Sequence, residues 1–147
     1  MRYSVVCLLF FSSVIFANDN LINSYETLNK KMNECQAEAK RSITIENKYL
    51  SALSRQQQKV VLFVFAQKAK RECYLIEEND YALSVLNFAI ETNNNQALNE
   101  FIALRKYDAI NDEVMSVFES LDLTELKKIQ ELPELKKPFE PFLVTIK

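Results

Sequence analysis

The stretch Ser54-Arg55-Gln56-Gln57-Gln58-Lys59-Val60-Val61-Leu62-Phe63-Val64-Phe65-Ala66-Gln67-Lys68-Ala69-Lys70-Arg71-Glu72-Cys73 decides the fold. Its centre is an unbroken apolar run over residues 60–66, which alone would suit a buried strand. The flanks argue otherwise. Gln56-Gln57-Gln58 on one side and Gln67-Lys68-Ala69-Lys70-Arg71-Glu72 on the other are strong helix formers, and they carry the pattern well past the length of a strand. Ser54 is a suitable N-cap, and Gln57 three residues on completes the sequence of a capping box. The reading is a helix over residues 55–78, buried on most of its sides. Leu62, Phe65 or Ala66, Ala69, Cys73 and Ile76 lie along one stripe of it, so Cys73 faces a partner.

A second long helix is expected over residues 21–41. Leu21, Tyr25, Leu28, Met32, Cys35 and Ala39 recur at alternating spacings of four and three, which lines one face. Cys35 therefore also points inward. A Cys35–Cys73 disulfide closes a loop of about 39 residues, for which the chain-entropy estimate gives at most about 4 kcal/mol of stabilisation. The fold class expected is all-α: a disulfide-stapled helical hairpin followed by shorter helices in a compact helical bundle.

Composition agrees. The 147-residue chain has no Gly, which disfavours tight hairpin turns and suits helix interiors. Pro133, Pro138 and Pro141 all lie in the last fifteen residues. Residues 43–53 read as a link with a short helix, with Leu50 and Leu53 inward. The second half reads as short helices over residues 81–91 and 96–104, then from Asn111 or Asp112 and from Asp122 or Thr124, stopped by Pro133. Asn93-Asn94-Asn95 is a turn, because Asn tolerates the left-handed conformation that Gly would otherwise supply. Residues 134–147 read as an extended tail anchored by Phe139, Phe142 and Leu143.

The N-terminus has the layout of a secretory leader: Arg2, an apolar stretch over residues 5–17, then Ala17 before Asn18-Asp19-Asn20. The stretch is short for a spanning helix. Cleavage after Ala17 removes Cys7 and leaves Cys35 and Cys73, an even number suited to an oxidising compartment. The expected organisation is a leader over 1–17, one helical domain over 18–132 and a Pro-containing tail over 133–147. The expected location is periplasmic or secreted. The short, lightly charged leader and the Asn- and Lys-rich chain point to a bacterial source. No stable membrane insertion is expected once the leader is gone.

The missing residue types exclude chemistry. Without His there is no Ser-His-Asp or Cys-His nucleophile and no His-containing zinc site. Without Gly there is no Gly-rich phosphate loop. The net charge of −2 is too balanced for a nucleic-acid footprint, so no nucleic-acid partner is expected. The charge is unevenly spread. Residues 18–79 carry a surplus of two basic residues and residues 80–147 a surplus of five acidic ones. The paired carboxylates Glu77-Glu78 and Asp112-Glu113 could in principle do acid–base work, but their places at expected helix ends account for them. Asn93-Asn94-Asn95 lacks the carboxylates of a calcium loop. No enzyme activity, cofactor or metal is expected.

Two resemblances are partial. Residues 86–102 resemble one ankyrin-type helix pair, with Asn in place of the repeat's Gly, Asn87 at its His, and no second copy. The paired Cys with Ala66-Gln67 ahead of Cys73 resemble in outline a secreted lysozyme-inhibitor family whose aromatic and Arg spacing differs. No residue role is carried over from either.

What remains is binding. Val60, Val61, Phe63, Val64, Tyr74 and Tyr81 are the candidate apolar ligand or interface surface, with Tyr offering both area and a hydroxyl. The expected function is a non-catalytic one: binding another envelope or secreted protein as inhibitor, immunity or accessory protein. The alternative is a carrier of an apolar small molecule in an inter-helix cavity. A homodimer is a further use of the same surface.

Overall fold

A computed structural model describes residues 10–107 and 110–147, with side chains from residue 18 onward apart from Tyr107. The leader expected over residues 1–17 lies outside the described side chains, and its first nine residues outside the described backbone. The fold is all-α. Among the described residues the helices are α1 Phe10–Ala39, α2 Lys48–Ala52, α3 Arg55–Cys73, α4 Leu75–Thr92, α5 Gln96–Tyr107, α6 Asp112–Glu119, α7 Leu123–Gln130 and α8 Pro133–Lys136. A 3₁₀ turn spans Pro141–Leu143. Two three-residue strands, β1 Ile43–Ile45 and β2 Val144–Ile146, pair in parallel with Thr44 opposite Thr145.

The chain divides into two compact units. One holds residues up to Lys30 together with Leu75–Ala109. The other holds Lys31–Tyr74 with Ile110–Lys147.

The second unit contains the disulfide and the main core. Cys35 and Cys73 are bonded, joining α1 to α3, and Cys35 is fully buried. The α3 helix begins as its sequence dictates. The Ser54 side chain accepts from the Gln57 N–H at 3.3 Å, and the Gln57 side chain accepts from the Ser54 N–H at 2.9 Å. Its apolar run then enters the core: Val61, Leu62, Val64, Phe65 and Ala66 are buried. All of these but Val64 belong to one cluster with Leu126 and Ile129 of α7, Leu135 of α8, and Leu50 of α2. Phe65 also meets the edge of Phe118 from α6 at 5.8 Å between ring centres. At about 25 cal/mol per Å² of apolar surface removed from water, this cluster is the main driving force for the unit.

The first unit is lighter. Tyr81 of α4 lies between Tyr25 of α1 (5.6 Å) and Phe101 of α5 (5.7 Å). Val85 and Ala89 are buried, and the buried Glu78 carboxylate pairs with Arg105 of α5. The turn between α4 and α5 carries Asn93 at φ 54, a left-handed residue in the place the sequence assigns to it.

Three local expectations are corrected. The helix expected over 55–78 ends at Cys73, and α4 starts at Leu75. Tyr74 leaves the helical region at φ −118 and ψ 14, with its N–H bonded to the Arg71 carbonyl. Glu77 and Glu78 therefore stand in the first turn of α4 rather than at a helix end, and there the helix dipole favours a carboxylate. Pro133 does more than stop α7: it stands at the first position of α8, where its missing N–H costs nothing. The tail is not merely extended, since it forms that helix, the 3₁₀ turn and β2. Phe139 is buried in the core, whereas Phe142 is 78 % exposed.

Candidate functional site: a groove along α3

One stripe of α3 opens onto a groove, although two of its members, Leu62 and Ala66, also belong to the core cluster. Arg55, Lys59, Leu62, Phe63, Ala66 and Lys70 recur at spacings of three and four, so they share one stripe of the helix. They form the floor of a groove of about 740 Å³ in the second unit. That volume is in the range of sites that hold a ligand (about 300–1,000 Å³). Gln36 and Ala39 from the end of α1 form one wall. The tail supplies the other, with Phe139, Pro141, Phe142, Val144 and Ile146.

One side chain, Arg41, gathers three carbonyls of the tail, alongside the pairing of β2 with β1. The Arg41 Nε donates to the Pro138 carbonyl at 3.0 Å. One terminal nitrogen donates to the Glu134 and Lys137 carbonyls at 2.6 and 3.1 Å. The Glu140 N–H donates in turn to the Ala39 carbonyl at 3.2 Å. A planar guanidinium can gather several carbonyls in this way, whereas an ammonium cannot reproduce the fork. Replacing Arg41 by Ala is expected to lower stability by about 2 kcal/mol, the scale of hydrogen bonds to a charged group, with Arg41→Lys recovering less than half. Denaturant midpoints of the three proteins measure this, and full recovery by Lys would contradict it.

The groove is apolar at its centre and cationic at its ends. Phe63 is 38 % exposed, and it and Phe142 present ring surface to solvent. Arg55 and Lys59 stand at one end and Lys70 at the other. Among the described residues none of these three forms an ion pair, and Glu140 is the one carboxylate on the lining. Arg55 opens α3, where the helix dipole favours negative charge, and that first turn carries no acidic residue. The local electrostatics of the helix therefore do not explain an arginine there.

The six candidate surface residues separate. Phe63 lines the groove. Val61 and Val64 are buried, Val61 fully and within the core cluster, and Val60 is half-buried. Tyr74 stands at the C-terminal cap of α3. Tyr81 belongs to the aromatic cluster of the other unit, and burial pushes its phenol above the usual tyrosine range, with Tyr25 and Glu100 adding to the rise. Of the paired carboxylates, Asp112 and Glu113 occupy the first turn of α6, behind the Asn111 cap. Among the described residues no cluster of three Cys, Asp or Glu could hold a metal, and no helix is long and apolar enough to cross a membrane.

The sequence predicts anchors for the tail at Phe139 and Phe142 but does not place it beside α3. Arg41 reads as one more residue of a solvated helix face, because its acceptors are backbone carbonyls more than ninety positions away. The groove stripe is present in the sequence, but it is merged with the neighbouring core stripe of the same helix. No family model, curated protein or solved structure matches the chain.

Proposed function

We propose that this chain is a non-catalytic binding protein of an oxidising compartment, periplasmic or secreted, that holds a segment of another protein in the groove along α3. The observation that supports this reading is the exposed aromatic surface of Phe63 and Phe142 beside unpaired cations. Apolar anchors within a polar rim are what protein-binding surfaces use, with aromatic side chains carrying much of the affinity. The disulfide suits the compartment.

A carrier of apolar small molecules is the second reading, and the groove volume favours it. Against it stands the 78 % exposure of Phe142, since a carrier encloses most of its ligand.

The test is a photo-crosslinking residue in place of Phe63, with a second in place of Thr145 as control, in the full chain expressed in its own host. Adducts to one discrete protein from position 63 and not from position 145 are expected. Identical patterns from both positions, or adducts to lipid alone, would overturn the reading.

A further inference from the structure

We infer that the segment held in the groove is an apolar stretch with acidic residues at both of its ends. This rests on the reading of the groove as a protein-binding site and adds the chemistry of the partner. The argument is the order of residues along α3. Arg55 and Lys59 come first, then the apolar floor of Leu62, Phe63 and Ala66, then Lys70. Fifteen positions separate Arg55 from Lys70, about 22 Å along the helix axis at 1.5 Å per residue. That span matches about seven residues of an extended segment or about fifteen of a helical one.

The arrangement selects between ligand chemistries. A long-chain carboxylate carries one charged end, so it would satisfy the cations at one end of the groove and leave the other end unanswered. A peptide segment can carry carboxylates at both ends and apolar side chains between them. Complementary charge of this kind sets orientation and partner choice more than raw affinity, while the exposed rings supply the apolar anchor. Glu140, the one acidic residue on the lining, comes from the tail and, among the described residues, forms no ion pair with the cations of α3. Lys70 lies in the last turns of α3, where the dipole alone would favour a cation. Arg55, at the opposite end, goes against the dipole, and its presence there points to a ligand rather than to helix stability.

The probes are fluorescein-labelled synthetic peptides of fifteen residues with one apolar Leu/Ala core. Their ends carry paired Glu on both sides, paired Glu on one side, Gln on both sides or Lys on both sides. Binding to the full disulfide-bonded chain is read by fluorescence anisotropy. The doubly acidic peptide is expected to bind at least about ten times more tightly than the Gln peptide, with the singly acidic peptide between them and the Lys peptide weakest. Its affinity falls as salt rises. In the variant Arg55→Glu, Lys59→Glu, Lys70→Glu, all three on the helix surface, the order of the Glu and Lys peptides reverses. Circular dichroism checks that this variant is folded, and the salt dependence of the unaltered chain is an independent readout.

Equal binding of all four peptides, abolished by Phe63→Ser with Phe142→Ser, would overturn the acidic-ended segment and leave the groove reading standing. A singly acidic peptide as tight as the doubly acidic one would also overturn it. Binding of 11-(dansylamino)undecanoic acid with no binding of any peptide would overturn both readings in favour of a carrier. Binding of neither would overturn both outright.

Discussion

Replacing Cys35 and Cys73 together by Ser is expected to lower the stability of the chain by about 4 kcal/mol, the chain-entropy value for a closed loop of this length. The bridge closes a sequence separation of 38 residues, and both ends lie in the same compact unit. For a unit of this size the loss corresponds to a fall in melting temperature of about 15–30 °C. The effect acts chiefly on the unfolded chain, which regains the freedom of the open loop. Packing adds to the loss, because Cys35 is fully buried and Ser would set a hydroxyl in an apolar site. Denaturant titrations of the oxidised chain and the double variant measure the equilibrium effect. Coincident midpoints would contradict it.

The sequence made that bridge legible because both halves of the argument are local. Each Cys falls on an apolar stripe of its own helix, and stripes are read from spacing alone. The same holds for the Ser54 box and for Asn93, where one residue type answers one backbone need. The break at Tyr74 was not legible. No Gly or Pro lies near the break, which is a matter of backbone angles at Tyr74 alone. The groove was half legible. Its floor lies inside the apolar run that carries the fold, but one helix serves both core and groove, and a single hydrophobic pattern does not separate them. Phe63 differs from Phe65 only in facing the other way. What separates them is the tail, which packs against α3 from the far end of the chain. The contacts that fix it, Arg41 to three carbonyls and β1 to β2, end on backbone groups, so the tail's own residue types do not announce them.

Phe139 and Phe142 put that distinction to the sharpest test, because they are three positions apart with opposite surroundings. Phe139 is 3 % exposed within the cluster formed by α3, α7 and α8, and its ring also backs the groove. Truncation to Ala is expected to cost about 3–5 kcal/mol, from lost burial and the cavity left behind. Phe142 is largely in solvent, so Phe142→Ala is expected to change stability by no more than about 0.5 kcal/mol. The functional order is the reverse. Phe142→Ala removes an exposed aromatic anchor from a folded groove and is expected to weaken binding of the doubly acidic peptide about tenfold, on the scale of a binding hot spot. Denaturant midpoints and anisotropy titrations on the two variants separate the effects. If Phe142→Ala were as destabilising as Phe139→Ala, the ring would belong to the core and the groove would lose its outer wall. If it left both stability and peptide affinity unchanged, the apolar anchor would rest on Phe63 alone, and the tail would serve only to close the fold.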